Sequence, residues 1–226
     1  RGVRVVCIVP AFEAQLTVSR VIAGLRVAIQ DVHVIGIDDG STDGTRRVLA
    51  ESADEMLGFD RNRGKGAALR AGFAAALARD AECVLSIDAD GQHDPGYAPT
   101  LIAALERADV VIGSRRRSGS DMPLRRRLSN RLSSAAISSA AGCDISDTQS
   151  GYRAIRAGVL RQVAASGDRY EFETDFLIRA GRAGFRIACV PISTVYGSVS
   201  HFRELRDGAR VVATILGGRL RSVRGH

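Results

Sequence analysis

Two aspartates at the end of an apolar run are the residues of this chain best placed to do chemistry: Asp88 and Asp90 in Leu85-Ser86-Ile87-Asp88-Ala89-Asp90-Gly91-Gln92-His93. Side chains two apart in a strand point the same way, and in the turn that follows both carboxylates can converge on one point. Like charges held that close repel unless a cation lies between them. The pattern therefore describes a divalent metal site of hard oxygen ligands that also grips phosphates. The alternative is a plain strand end whose aspartates cap the next turn.

Two further stretches carry polar chemistry. Asp38-Asp39-Gly40-Ser41-Thr42-Asp43-Gly44 is dense in turn-formers, and Thr42 or Asp43 suits the N-cap of a following helix. Capping does not account for paired acids at a strand end, which suit hydrogen bonding to a base or ribose. Asn62-Arg63-Gly64-Lys65-Gly66 opens a helix with two glycines and the only lysine of the chain. Bare backbone amides at a helix start attract anions. This is not a Walker loop, because Phe59 stands where its first glycine belongs and no Ser or Thr follows Lys65, where the chain reads Gly66-Ala67. Leu69 at the third glycine position likewise excludes a dinucleotide fingerprint.

Hydrophobic patterning supplies the elements that position these residues. Arg4 to Pro10 reads as a strand buried on both faces. Val18, Val21, Ile22, Leu25, Ala28 and Ile29 recur at helical spacing. Strands follow at Val32–Ile37, Glu55–Phe59, Cys83–Ile87, Val110–Gly113 and Arg186–Pro191, and helices at Thr45–Leu49, Gly66–Ala78, Tyr97–Arg107, Leu124–Ala141, near Val159 and at Phe172–Ala183. Asp144 to Arg153 reads as a turn segment. Alternation of this kind implies an α/β fold with a mostly parallel sheet and helices on both faces. Ligands bind such sheets beyond the carboxyl ends of the strands, where Pro10, Asp38-Asp39 and Asp88-Asp90 all fall.

A chain of 226 residues, 45% hydrophobic and 25% charged, suits one soluble domain with a full core. No apolar run approaches the roughly 20 residues of a membrane-spanning helix, and Val3–Pro10 is too short for a signal peptide. Cys7, Cys83, Cys143 and Cys189 are widely spaced, which excludes a zinc ribbon or a disulfide frame. The net charge of +7 points to anionic partners such as nucleotide, phospholipid or nucleic acid. Single-strand nucleic-acid binders need aromatic stacking platforms; aromatics are 5% here, with none among Arg115–Arg131.

In this order, Val9-Pro10-Ala11-Phe12, the Asp38–Gly44 and Asn62–Gly66 stretches, Asp88–His93, Gly113-Ser114-Arg115, Gln149-Ser150-Gly151-Tyr152-Arg153 and Val190-Pro191-Ile192 resemble the family 2 glycosyltransferases. These are inverting nucleotide-sugar enzymes of the A-type fold, with a Rossmann-like nucleotide-binding half. Within them the chain is most similar to the dolichyl- or polyprenyl-phosphate sugar transferases. The resemblance runs from Val5 to about His201. It implies a single domain, with 1–113 binding the nucleotide sugar, 114–202 the acceptor, and 203–226 forming an amphipathic helix that can lie on an anionic membrane surface.

By that resemblance Pro10, Ala11, Asp38, Asp39, Lys65, Asp88 and Ala89 line the nucleotide pocket. Asp88, Asp90 and Gln92 hold Mg²⁺ or Mn²⁺ on the donor diphosphate. The family usually reads Pro-Ala-Tyr-Asn-Glu at its first motif; here the glutamate position is Ala14, and Glu13, one place early, stands in for it. Arg115, Arg126 and Asn130 bind the acceptor phosphate, so Asp88, Asp90 and Arg115 form the catalytic set. His201 and Arg203 belong to a loop closing over the donor. The implied partners are a UDP- or GDP-linked hexose and a polyprenyl phosphate, met at the cytoplasmic face of the membrane by a peripheral enzyme. If the acceptor is instead a hydroxyl, a carboxylate base is needed, and Asp147, Glu173 and Asp175 are the candidates.

Overall fold

The computed structural model describes residues 3–115 and 134–193. Its first strand, β1 (Val5–Ala11), carries no charge, and residues 6–11 are all buried because the strand lies inside the sheet. Helix α1 (Val18–Ala28) turns Val18, Val21, Ile22 and Leu25 inward at the three-and-four spacing of an amphipathic helix. There follow β2 (His33–Asp38), α2 (Thr45–Ser52), β3 (Glu55–Gly58), α3 (Lys65–Ala78) and β4 (Cys83–Ser86). A 3-10 turn, Pro95–Tyr97, is started by the Asp94 side chain accepting from the Gly96 N–H and leads into α4 (Ala98–Ala104). The remainder is β5 (Val110–Arg115), α5 over residues 134–141, β6 (Arg153–Arg156), α6 (Ala157–Gln162), α7 (Glu171–Arg182) and β7 (Ile187–Ile192).

The seven strands are ordered β3-β2-β1-β4-β6-β5-β7. All neighbouring pairs are parallel except those of β6, which runs antiparallel to both β4 and β5. Successive strand residues feed opposite faces. Val6 and Ile8 of β1 join Phe73, Phe172 and Phe176 in the layer under α3 and α7, while Cys7 and Val9 join Leu25 and Leu101 under α1 and α4. The expected α/β class, mostly parallel sheet and two helical layers are all present.

Strand β6 is the element that patterning misses. Its sequence, Arg-Ala-Ile-Arg, lacks the charge-free run of a central strand, yet Arg153 is only 3% exposed. The strand survives there because protein acceptors surround the buried guanidinium. Its antiparallel register sets Arg153 opposite Ser86, the last residue of β4. The loop before β6 is thereby delivered to the edge of the sheet where the two aspartates emerge. Most of the expected helix 124–141, and all of the expected helix 203–226, lie outside the described residues. Among the described residues no helix is long and apolar enough to cross a membrane.

Candidate active site

The carboxyl ends of β1, β2 and β4 share one edge, with Ala11 paired to Asp38 and Ile8 to Ser86. Asp88 and Asp90 follow β4 directly. One oxygen of Asp90 accepts the Gln92 N–H at 2.9 Å, closing the turn through Gly91, whose φ is +72°. That is the capping role foreseen for such an aspartate. Asp88 is engaged differently: its Oδ1 lies 2.7 Å from Lys65 Nζ. The same ammonium is 3.2 Å from Glu173 Oε2, and Glu173 Oε1 is 3.3 Å from Arg153 Nη2. Arg153 in turn donates to the carbonyls of Ser150 (2.9 Å) and Thr148 (3.0 Å). Charges thus alternate from the strand end, through the helix start, to the loop before β6.

Burial pushes the Asp88 carboxyl upward, but the Lys65 ammonium, with His93 and Arg153, outweighs it and holds the group below the usual aspartate range. Asp90 is raised, by burial and by the charge of Asp88. Burial would lower Lys65; Asp88 and Glu173 reverse that and raise it. The Gly151 backbone passes against Asp88, so that a methyl at Gly151 would sit 2.4 Å from Oδ2 and 2.6 Å from Oδ1. Among the described residues no three His, Cys, Asp or Glu side chains converge to hold a metal. The donor chemistry nevertheless suits a hard divalent cation: the carboxylates of Asp88 and Asp90 lie close enough for the charge of one to raise the other, and both are hard oxygen donors.

On the nucleotide side, Asp38, Asp39 and Glu13 each have partners within the protein. Asp38 is fully buried, its oxygens taken by the Ser41 N–H (3.1 Å) and by Arg46 Nε (2.9 Å). Asp39 is 3% exposed and accepts the backbone N–H groups of Arg63 (2.7 Å) and Gly64 (2.9 Å). A buried carboxylate must find donors inside the protein, and these bonds tie both acids into the loops at the strand ends. The amides before α3, expected to attract an external anion, are the ones that serve Asp39. The two glycines have a packing reason as well. A Cβ at Gly64, whose φ is +103°, would lie 2.4 Å from the Asp168 carbonyl, and one at Gly66 would lie 2.6 Å from Phe172 Cβ. This close approach fixes Lys65 at the site.

Glu13 is tied to the loop after β2. It adopts a positive φ of 51° and accepts from the Thr42 N–H (2.8 Å) and Oγ1 (3.0 Å). Ala14 N donates to Thr45 Oγ1 and Gln15 N to Asp43 Oδ2, zipping the loop after β1 onto the loop after β2. Asp43 also accepts the Thr45 N–H at 2.9 Å, while the residue at the N-cap of α2 is Gly44. Ala11 accepts the Asp39 N–H through its carbonyl, and Ala89 accepts Thr17 Oγ1 at 2.7 Å, so both line this edge through backbone, next to Pro10.

Across the sheet, Arg115 ends β5 and grips Asp147 with two bonds, Nε–Oδ2 2.8 Å and Nη2–Oδ1 2.9 Å. Burial raises the Asp147 carboxyl, and the Arg115 guanidinium brings it below the ordinary range. Asp175 holds Arg179 Nε at 2.7 Å and the Ser166 N–H at 2.8 Å. All three carboxylates considered as a base for a hydroxyl acceptor are therefore paired with cations. Arg126, Asn130, His201 and Arg203 lie outside the described residues.

Residues 6–164 match the model of the family described as "Glycosyl transferase family 2". The chain belongs to that family. It is 34% identical, over 85% of its length and 84% of the relative's, to an undecaprenyl-phosphate mannosyltransferase of Micrococcus luteus. It is 32% identical to a polyprenol monophosphomannose synthase of Mycolicibacterium smegmatis, over 84% of this chain and 77% of that one. The fold is similar to a glucosyl-3-phosphoglycerate synthase of Mycobacterium tuberculosis crystallised with Mn²⁺, UDP and glucosyl-3-phosphoglycerate (TM-score 0.75, 24% identity, covering 96% of this chain and 80% of that one). The protein is thus a glycosyltransferase of the A-type fold.

Parts of this glycosyltransferase site escape sequence reasoning. Gly151 and Arg153 stand out as members of a motif, yet nothing in their spacing says that one backs Asp88 and the other neutralises Glu173. His93, next to the acid pair in sequence, is 6% exposed with Nδ1 lacking a hydrogen-bond partner among the described residues, and burial lowers its pKa. Its ring packs 5.7 Å from that of Tyr152. A histidine inside a motif of hard oxygen donors was the available signal.

Proposed function

We propose that this glycosyltransferase moves a hexose from a UDP- or GDP-linked donor to a polyprenyl phosphate, with inversion at the anomeric carbon and with Mg²⁺ or Mn²⁺ as cofactor. The observation that carries the choice of acceptor is the pairing of Asp147, Glu173 and Asp175 with Arg115, with Lys65 and Arg153, and with Arg179. A sugar hydroxyl needs a general base before it attacks. A carboxylate clamped by a cation takes up a proton only by giving up that partner, which makes it a poor base. A phosphate monoester, with a second pKa near 6, arrives already ionised at pH 7. It needs orientation and charge compensation, not deprotonation.

The roles follow from chemistry at one edge of the sheet. Attack by the phosphate oxygen on the side opposite the departing diphosphate inverts the anomeric centre. Asp88 and Asp90, with Gln92 beside them, would hold the cation, whose charge stabilises the leaving nucleoside diphosphate. Pro10, Ala11 and Ala89 border the nucleotide, while Asp38, Asp39 and Glu13 keep that border rigid from behind. An acceptor phosphate about 4 Å from the diphosphate is repelled by roughly 4 kcal/mol per charge pair at an effective dielectric near 20. Arg115, sharing its guanidinium between Asp147 and the phosphate, and, in the segment outside the described residues, Arg126 and Asn130 are the groups to offset that repulsion. His201 and Arg203 would close over the donor. One relative is named as an undecaprenyl-phosphate mannosyltransferase and another as a polyprenol monophosphomannose synthase, which supports this reading. Such a lipid brings the enzyme to a membrane, at the cytoplasmic face, with residues 203–226 as its surface contact.

The test is a transfer assay with labelled UDP- and GDP-sugars, offering undecaprenyl phosphate or the corresponding alcohol, with and without EDTA. Label should enter only the phosphate lipid, stop with chelator, and return with excess Mg²⁺ or Mn²⁺. Transfer to the alcohol at a comparable rate would refute the acceptor assignment, and activity in EDTA would refute the metal.

A further inference from the structure

Lys65 is the only lysine in the chain, and its position raises a question that the reaction alone does not answer. Its ammonium is 2.7 Å from Asp88, the carboxylate assigned to the metal, and 3.2 Å from Glu173, which stays behind it against Arg153. The ring of Tyr170 lies 6.0 Å away, and only 17% of the side chain is exposed. The backbone at Lys65 has no freedom, because Gly64 and Gly66 abut residues 168–172 and Ala67 N donates to the Asp168 carbonyl at 3.0 Å. The four-carbon stem does have freedom, and an ammonium is a point charge that can exchange one carboxylate for another.

A dication on Asp88 and an ammonium on the same carboxylate repel each other. Three carboxylates, Asp88, Asp90 and Glu173, face two cations, Lys65 and Arg153. Adding a dication alone turns a net negative cluster net positive, whereas a dication bound to a nucleoside diphosphate brings its own negative charge. Glu173 then offers Lys65 a place to go.

We propose that Lys65 is a built-in counter-ion that occupies Asp88 until the nucleotide arrives and then withdraws toward Glu173, so that the divalent cation loads with the nucleotide and not before it. This rests on the reading of Asp88 and Asp90 as the metal site.

Because one lysine gives one resonance, protein grown with ¹³Cε-lysine reports Lys65 directly. The signal should differ between the wild type and Asp88→Asn. In the wild type it should stay in place with Mg²⁺ alone and move with Mg²⁺ plus UDP or GDP. In parallel, Mn²⁺ binding followed by electron paramagnetic resonance should be about tenfold or more weaker without UDP or GDP than with it. Lys65→Met should close most of that gap by tightening nucleotide-free binding. A resonance unchanged by Asp88→Asn and by Mg²⁺ plus nucleotide, or a gap unaltered in Lys65→Met, overturns the proposal. Failure of Mn²⁺ to bind even with both nucleotides overturns the metal reading, and this proposal with it. Mn²⁺ that binds with nucleotide while the lysine signal stays fixed overturns only the counter-ion role. The wild-type titration needs no variant, so it decides the matter even if Lys65→Met fails to fold.

Discussion

Gly151→Ala isolates the geometry around Asp88 better than any change to the acids themselves. The added methyl carbon would lie 2.4 Å from Oδ2, 2.6 Å from Oδ1 and 2.7 Å from Cγ of Asp88. An ordinary carbon–oxygen contact is about 3.3 Å or more, so one side must retreat by about 0.8 Å. The loop is the harder side to move. Ser86 Oγ donates to the Gly151 carbonyl at 2.9 Å, Tyr152 OH to the Pro95 carbonyl at 3.0 Å, and Arg153 to two carbonyls just upstream. Gly151 is outside the left-handed φ region, so alanine meets no backbone penalty and the effect is steric alone. Overpacking of this kind costs about 1–3 kcal/mol, which for a chain of this size lowers Tm by about 2–4 °C per kcal/mol. Displacing a catalytic group by nearly 1 Å costs about 100-fold in rate. The variant should therefore fold, melt several degrees low, and lose about two orders of magnitude in kcat in the sugar-transfer assay. Gly158→Ala is the control, since a Cβ there meets nothing within 4 Å. A Gly151→Ala enzyme with at least half the wild-type rate and unchanged Mn²⁺ affinity would refute the reasoning.

Two other substitutions probe the supporting charges. Arg46→Ala removes the guanidinium from fully buried Asp38 and should lower stability by about 3 kcal/mol, because an unpaired buried carboxylate remains; urea unfolding at pH 7 checks this, and a loss under about 0.5 kcal/mol would mean Ser41 alone suffices. Asp147 is held below the ordinary aspartate range, against burial, by Arg115. A depressed carboxylate stabilises the fold above its unfolded pKa of about 3.9 and loses that contribution as pH falls through the folded value. In urea titrations from pH 7 to pH 3, Asp147→Asn should be less stable at neutral pH and lose less of its stability below about pH 4 than the wild type does; parallel acid limbs would count against the Arg115 pairing as the source.

The strands and helices on either side of Asp88 were legible because burial on both faces leaves a charge-free signature: β1 and β4 each read as runs without a charged residue. Strand β6 was not legible, because its two arginines hide it. Only in three dimensions does Arg153 find the acceptors that make its burial tolerable. The polar loops divide in the same manner. Their turn chemistry is local, so the turn bonds accepted by Asp43 and Asp90 followed from residue type, although Gly44, not Thr42 or Asp43, stands at the N-cap of α2. Which acids remain for a ligand is not local. That Arg46 would pair with Asp38, and the amides of Arg63 and Gly64 with Asp39, depends on other parts of the chain.

By itself, then, the order of residues determined the α/β class, the edge of the sheet where the polar groups gather, and the acid pair after β4. Hydrophobic periodicity and turn chemistry act over a few residues and can be read one segment at a time. The tertiary structure alone decided which charge meets which: Lys65 on Asp88, Glu173 between Lys65 and Arg153, Arg115 on Asp147. Ion pairs join residues tens of positions apart, and every buried charge must take a partner from whatever the fold brings within about 4 Å.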